Sequence, residues 1–233
     1  MAIVKYGDAG DRIPVQFGEV WECGPHKFIC ADMQTQKYFD AVETLGSWDC
    51  MWVDPPWNSG NAATFRTKAG VPNKVDIHEL LDLVFVLFKK TEGSIYIEIG
   101  KQTFQYVYDF LKQREGNVIQ DWDIFYYGKK PCKYIRSGKE KIDFDFTGID
   151  EMKVPLPSFE HEIKVNNIKT VFDCCVGQGL VPTVADKLGL NFIGTDLNNR
   201  RIAVSLDKLN KQSGYAPLKV GHISDIHSTQ SYS

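Results

Sequence analysis

The sequence predicts an α/β protein with a mostly parallel sheet covered by helices on both faces. Short apolar runs alternate with stretches of helical period from about residue 27 to residue 211, the pattern that strand–helix–strand units produce. Two of the apolar runs end abruptly, one in Asp54-Pro55-Pro56-Trp57 and the other in Cys175-Val176-Gly177-Gln178-Gly179. The chain of 233 residues, 43% hydrophobic and 24% charged, is long enough for one well-buried domain of ordinary globular composition. Ligands of such sheets bind beyond the carboxyl ends of the strands, where both abrupt endings lie.

In chain order, Lys27 to Ala31 is a short strand and Gln34 to Leu45 a helix. Trp48 to Val53 is a buried strand, stopped by two prolines that cannot extend a ladder. Residues 58–73, rich in Gly, Asn, Ala and Thr, are expected as a mobile loop. Asp76 caps a helix running to about Lys90, with Glu79 as its capping-box partner and Leu80, Leu83, Val84, Leu87 and Phe88 inward. Ser94 to Ile99 is a strand, Thr103 to Arg114 a helix, and Val118 to Tyr127 alternates like a strand. Residues 128–160 carry Lys, Pro and Gly without long periodicity and are expected as an insert that touches nucleic acid. Lys169 to Cys174 is a strand, Leu180 to Leu188 a helix, Asn191 to Thr195 a strand and Asn198 to about Lys211 the closing helix. The tail from about residue 213, Ser-rich after His222, is expected to fray. A single domain over residues 1–233 is the expected organisation.

Several classes are disfavoured. No apolar stretch is long enough to span a bilayer, and the first residues lack a signal peptide's apolar run, so a cytosolic protein is expected. Cys23, Cys30, Cys50, Cys132, Cys174 and Cys175 form no CxxC pair and sit largely in apolar runs. They read as reduced, buried thiols, and the five histidines show no ligand spacing, so no metal site is expected. A net charge of −3 argues against a general nucleic-acid coat. It still allows a local basic cleft, because charges are screened within about 8 Å at physiological salt.

The proline turn offers a carboxylate, carbonyls with no competing N–H, and a flat ring. Those groups suit a planar amine on a base: oxygens accept its hydrogens and the ring stacks. The plainer reading is an acid-capped Pro-Pro turn. The glycine turn follows Val171-Phe172-Asp173-Cys174, and Asp196 ends the next strand at about the spacing of an acid that binds ribose hydroxyls. Gly177 and Gly179 admit a ligand without a Cβ clash. The turn is neither GxGxxG nor GxxxxGK[ST], so a nucleoside without a pyrophosphate fits better than a dinucleotide.

Together these segments resemble the S-adenosylmethionine-dependent amino methyltransferases that modify adenine N6 or cytosine N4 in DNA. Asp54-Pro55-Pro56-Trp57 matches that family's catalytic Asp/Asn/Ser-Pro-Pro-Tyr/Phe/Trp motif, Phe172 to Asn198 its cofactor segment, and Gly24 to Asp32 the Gly-Asp segment before the catalytic strand. The catalytic motif precedes the cofactor motif, the permuted order of the family's beta group, and the resemblance covers about residues 19 to 209. Cys174-Cys175 stands where Pro-Phe is usual and Gln178 where a small residue is usual. Only Lys153 and Pro155 answer to the customary Lys-Pro pair.

The resemblance implies a class I, Rossmann-like methyltransferase fold and S-adenosylmethionine as cofactor. It implies catalysis by Asp54, Pro55, Pro56 and Trp57, with Asp54 and the Pro55 carbonyl accepting the amine hydrogens and Trp57 stacking on an extruded base. It implies cofactor contacts from Asp32, Met33, Asp173, Cys174, Gly177, Gly179, Asp196 and Leu197, with Asp196 on the ribose. DNA is the implied partner, in the cytoplasm of a bacterial or phage-infected cell and in a restriction-modification setting, with a homodimer or partner subunit open. Lys129, Lys130, Lys133 and Arg136, among Tyr126, Tyr127 and Tyr134, suit phosphate contact and stacking, and Arg66 and Lys68 are the second candidates. A solvated edge hairpin is the plainer reading of the first group. Asp at the first catalytic position leans toward adenine N6. Cytosine N4, RNA adenosine N6 and a catalytically silent nucleic-acid-binding subunit stay open, with a nicotinamide oxidoreductase a distant alternative.

Overall fold

The computed structural model describes residues 9–10 and 12–226. In chain order the strands and main helices are β1 (Glu19–Cys23), β2 (His26–Cys30), α1 (Gln36–Thr44), β3 (Cys50–Val53), α2 (Ser59–Lys68), α3 (Ile77–Lys90), β4 (Ser94–Ile99) and α4 (Phe104–Lys112). There follow β5 (Val118–Tyr126), β6 (Lys130–Gly138), α5 (Pro155–Asn166), β7 (Thr170–Asp173), α6 (Leu180–Lys187), β8 (Asn191–Asp196), α7 (Asn199–Ser213) and β9 (Leu218–His222). The chain divides into two compact units, residues 48–172 forming one and the flanking segments up to 47 and from 173 the other.

In the unit of residues 48–172, β3 pairs in parallel with β4 and with β7, while β6 runs antiparallel to β4 and to β5. Every residue of β3 and β4 is buried, which is why these strands read as continuous apolar runs rather than alternating ones. Helix α3 starts where the Asp76 carboxylate accepts from His78 N at 2.8 Å, and Lys89 and Lys90 sit in its last turn. Its buried face includes Leu80, Val84, Leu87 and Phe88, as the 3.6-residue period requires, and adds Leu81 and Phe85, while Leu83, expected inward, is only half-buried. Each such side chain contributes roughly 1.5–3 kcal/mol by leaving water.

In the other unit, β2 and β8 pair in parallel, with Cys30 opposite Asp196. Antiparallel β1 and β9 extend this sheet. The mixed pairing, parallel next to the site-bearing strand ends and antiparallel toward the margins, leaves both carboxyl-end turns on parallel strands.

Three expectations are corrected, and one strand was not expected. Residues 58–73 are not a loop throughout: the Asn58 side chain accepts from Asn61 N at 2.9 Å and starts α2. The segment 128–160 is not an irregular insert, since it contains β6 and the first half of α5, with Pro155 in the first turn where its missing N–H costs nothing. Strand β1 escapes the periodicity reading because Glu19 and Glu22 flank Val20 and Trp21. Strand β9 lies within the tail expected to fray, held by Lys219 opposite Trp21 and by the Lys219–Glu19 ion pair at 2.6 Å. The remainder of that tail, 227–233, lies outside the described residues. Among the described residues no helix is long and apolar enough to cross a membrane.

Candidate catalytic and cofactor-binding turns

The catalytic-turn candidate leaves the end of β3. Pro55 is buried, while Asp54, Pro56 and Trp57 are half-buried. The Trp57 indole N–H donates to Asp54 Oδ1 at 3.2 Å, so the ring and the carboxylate orient each other across the two prolines. Gly100, just after β4, makes room for this ring: a Cβ there would lie 2.8 Å from Trp57 Cβ. Tyr126, at the end of β5, meets Trp57 edge-on with centroids 5.0 Å apart.

Beneath the turn lie carboxyls that sequence reading missed. Glu98 on β4 is buried and accepts from Cys132 Sγ at 3.6 Å. Burial, then the charges of Asp54 and Glu151, push its carboxyl well above the usual range. Glu151 is pushed up to about 7 by burial and by Asp150 and Asp54, against a lowering hydrogen bond from Tyr127 N. Burial and Asp54 also hold the Tyr126 phenol up. Half-buried Asp54 thus stands among carboxyls whose ionisation is opposed by burial and by its own charge. The only sequence signal was an acid in the otherwise apolar run Ile97-Glu98-Ile99.

The cofactor-turn candidate is built from Asp173 and the turn after it, the end of β8 and the loop after β2. Asp173 is buried and accepts from Cys175 N at 2.7 Å. Gly177 and Gly179 both have left-handed backbones, φ 58° and 75°. A Cβ on Gly179 would lie 2.9 Å from Ser205 Cα, so that glycine serves packing against α7. A Cβ on Gly177 would meet only Cys175 O at 3.6 Å, so the space on its side-chain side is open to a ligand. Asp196 is buried, accepting from Gly177 N at 3.0 Å and Asn198 N at 2.8 Å, with Arg201 at 3.7 Å. Burial raises its pKa, against the opposing effects of Arg201 and the two N–H groups. A carboxylate offers about four acceptor positions, so two backbone bonds leave capacity for ribose hydroxyls.

Asp32, just past β2, is buried and accepts from Gln34 N at 3.1 Å, with Met33 half-buried beside it. Leu197 is half-buried, and Cys174 is buried with its carbonyl accepting from Thr195 Oγ1 at 3.3 Å. The Ala31 amide donates to Asp196 O at 3.1 Å, which ties the Asp32 loop to the Asp196 strand end. Asp32, Met33, Asp173, Cys174, Gly177, Gly179, Asp196 and Leu197 therefore belong to one compact unit. This donor set fits an adenosine-type group: carboxylates for hydroxyls, and a glycine whose missing side chain leaves room for a ligand.

The expected basic contacts divide. Lys68, Lys129 and Lys130 are exposed. Arg136 is fully buried against Glu162 at 2.7 Å, and Arg66 is buried with Nε donating to Asn73 O at 3.1 Å. Both arginines are thereby corrected from phosphate contacts to internal structural groups, because a buried guanidinium is held by its partners rather than offered to a ligand. Lys133 is ion-paired to Asp121 at 2.9 Å and Asp123 at 3.3 Å, which offsets its charge locally.

The fold is that of the class I methyltransferases, of the kind found in S-adenosylmethionine-dependent DNA amino methyltransferases. Among solved structures the chain is similar to M1.HpyAVI, with a TM-score of 0.55 and 17% identity over 79% of this chain and 98% of that one. The SAM complex of M1.HpyAVI aligns with a TM-score of 0.51 and 16% identity over 79% of this chain and 100% of that one. PvuII DNA methyltransferase, cytosine-N4-specific, aligns with a TM-score of 0.50 and 12% identity over 84% of this chain and 94% of that one. No protein-family model and no curated protein sequence matches the chain.

Proposed function

We propose that the protein is an enzyme that transfers a methyl group from S-adenosylmethionine to the exocyclic N6 amine of adenine in DNA. The observation that carries this reading is the Asp54–Trp57 turn. A carboxylate and an indole, joined by a hydrogen bond of 3.2 Å, stand at the end of a parallel strand with a proline carbonyl between them.

S-adenosylmethionine supplies an electrophilic methyl group. Asp196 and Asp32 would hold its hydroxyls and adenine, and the space left by the missing Gly177 side chain would border the remainder. The exocyclic amine is a poor nucleophile because its lone pair is delocalised into the ring. Asp54 and the Pro55 carbonyl accept its two hydrogens and favour a pyramidal nitrogen, while Trp57 stacks on the base. The Asp54 carboxylate favours the positive charge that grows on the nitrogen. Orientation and electrostatics suffice, with no covalent enzyme intermediate. In a duplex the target base must leave the stack. Exposed Lys68, Lys129 and Lys130 are the side chains offered to phosphates.

Cytosine N4 is the second reading, supported by the similarity to a cytosine-N4-specific enzyme. The lean to adenine rests on Asp54, where a cytosine enzyme of this kind more often has Ser. Nucleoside mass spectrometry after incubating DNA and RNA with labelled cofactor decides. Label is expected in N6-methyladenine from DNA. Label confined to N4-methylcytosine or to RNA overturns the assigned product, and no label in any nucleoside supports a silent binding subunit.

Asp196→Ala is expected to weaken S-adenosylmethionine binding by about 1.5–3 kcal/mol, the worth of a hydrogen bond to a charged group. Calorimetric titration checks this, and equal affinity in the variant would remove the ribose assignment.

A further inference from the structure

The hairpin joining β5 to β6 carries a feature that its folding does not require. The Lys129 amide donates to Tyr126 O at 3.1 Å, closing a tight turn with Tyr127 and Gly128 at its centre. Both central residues have positive φ, 48° and 64°, as in a type I′ turn. Asn-Gly or Gly-Gly suits that geometry, and a bulky residue at positive φ is an outlier. Tyr127 is held there by its own amide, which donates to the buried Glu151 carboxylate. Phe125 N bonds Ile149 O at 2.9 Å and anchors the hairpin to the same segment.

The Tyr127 side chain is 55% exposed. Its ring meets Tyr126 edge-on at 4.6 Å, and Tyr126 meets Trp57 edge-on at 5.0 Å. A continuous series of rings thus runs from the Asp54 carboxylate to the hairpin tip. Lys129 and Lys130 are exposed directly beside Tyr127. An exposed ring with exposed lysines in the same hairpin is what an unpaired nucleobase with its phosphates requires.

We propose that Tyr127 is a stacking platform for a nucleobase next to the one received by the Asp54 turn, so that the hairpin's ligand is a single-stranded or locally melted nucleic acid. The proposal rests on the amine-methylation reading and adds a second base site to it. The strained tyrosine is then a binding group whose backbone cost is offset by Glu151.

The test uses a fluorescently labelled 12-mer of deoxyadenosine and a 12-mer of abasic deoxyribose phosphates, read by anisotropy at fixed salt. Wild type is expected to prefer the base-bearing strand. Tyr127→Ala should lose on the order of 10- to 100-fold of that preference, the range measured for base–aromatic stacking, with little change toward the abasic strand. Tyr127→Phe should retain the preference. Tyr127→Asn, which suits the left-handed backbone, should melt no lower than wild type and still lose it. An undiminished preference in Tyr127→Ala and Tyr127→Asn, or an equal loss toward both strands, overturns the platform. Methyl transfer is measured separately with labelled cofactor. Base-dependent binding that needs Tyr127, without transfer to any nucleic acid, overturns the proposed activity and leaves the platform standing. Absence of binding to either strand overturns the platform.

Discussion

Asp54→Ala is expected to abolish methyl transfer, by at least roughly 10³-fold in kcat, while leaving S-adenosylmethionine affinity largely intact. The variant removes the acceptor that faces the amine and also releases the Trp57 indole, whose N–H donates to Asp54 Oδ1. Buried Glu98 and Glu151 cannot replace it, because burial and neighbouring charge hold both carboxyls above their ordinary range. Asp54→Asn should also lose most activity, since an amide retains one acceptor but places N–H donors where amine hydrogens must be received. Trp57→Phe, which keeps a stacking ring and loses only the N–H, should be the mildest of the three. Single-turnover kinetics with labelled cofactor, beside calorimetric cofactor binding, gives the comparison. Near-normal turnover in Asp54→Ala would remove the carboxylate from the mechanism.

The backbone course of both turns was legible because it depends on residues with few conformational alternatives. Two prolines end β3 wherever they occur, and Gly177 and Gly179 take the left-handed backbone that other residues avoid. The strand Ser94–Ile99 read correctly because all of its residues are buried and Ile95, Ile97 and Ile99 recur at the strand period. The acidic floor of the catalytic turn was not legible. Glu98, Glu151 and Asp54 are far apart in sequence, and only the fold brings their charges within influence of one another.

The basic segment shows where composition misleads. Lys129, Lys130, Lys133 and Arg136 look equivalent in sequence, but strand alternation sends them to different surroundings. At the tip Lys129 and Lys130 reach solvent, Lys133 meets Asp121 and Asp123 of the neighbouring strand, and Arg136 points into the core. Its partner Glu162 lies on α5, a helix whose start in the proline-rich Pro155-Leu156-Pro157 hides its period. Similarly, Ser59–Lys68 is rich in Gly, Asn and Thr, and its helix depends on the Asn58 cap rather than on propensity.

Breaking the Arg136–Glu162 pair is expected to give the largest stability loss outside the turns. Neither side chain is exposed. Arg136 donates to Glu162 Oε1 from Nε at 2.9 Å and from Nη2 at 2.7 Å, and Tyr96 Oη donates to the same oxygen at 2.6 Å. Ser94 Oγ donates to Glu162 Oε2 at 2.8 Å, and Arg136 Nη1 donates to Glu140 O. Burial opposes ionisation of Glu162, but Arg136 and the hydrogen bonds prevail and hold its carboxyl below the ordinary value. Glu162→Ala should therefore lower the unfolding free energy by about 3–5 kcal/mol, because a guanidinium stays buried without its counter-charge. That is a large part of the roughly 5–15 kcal/mol typical of a folded domain. Arg136→Met with Glu162→Leu should recover only part of the loss, since Tyr96, Ser94 and the Glu140 carbonyl would still lack partners. The lowered carboxyl pKa sets the pH signature. Its stabilisation is fully present above the unfolded glutamate value of about 4.3 and fades as pH falls through the lower folded value. The margin of wild type over Glu162→Gln should thus narrow in acid. Urea unfolding of the three variants and wild type across pH measures both effects. An unchanged midpoint in Glu162→Ala would mean that the pair only breaks even against its desolvation.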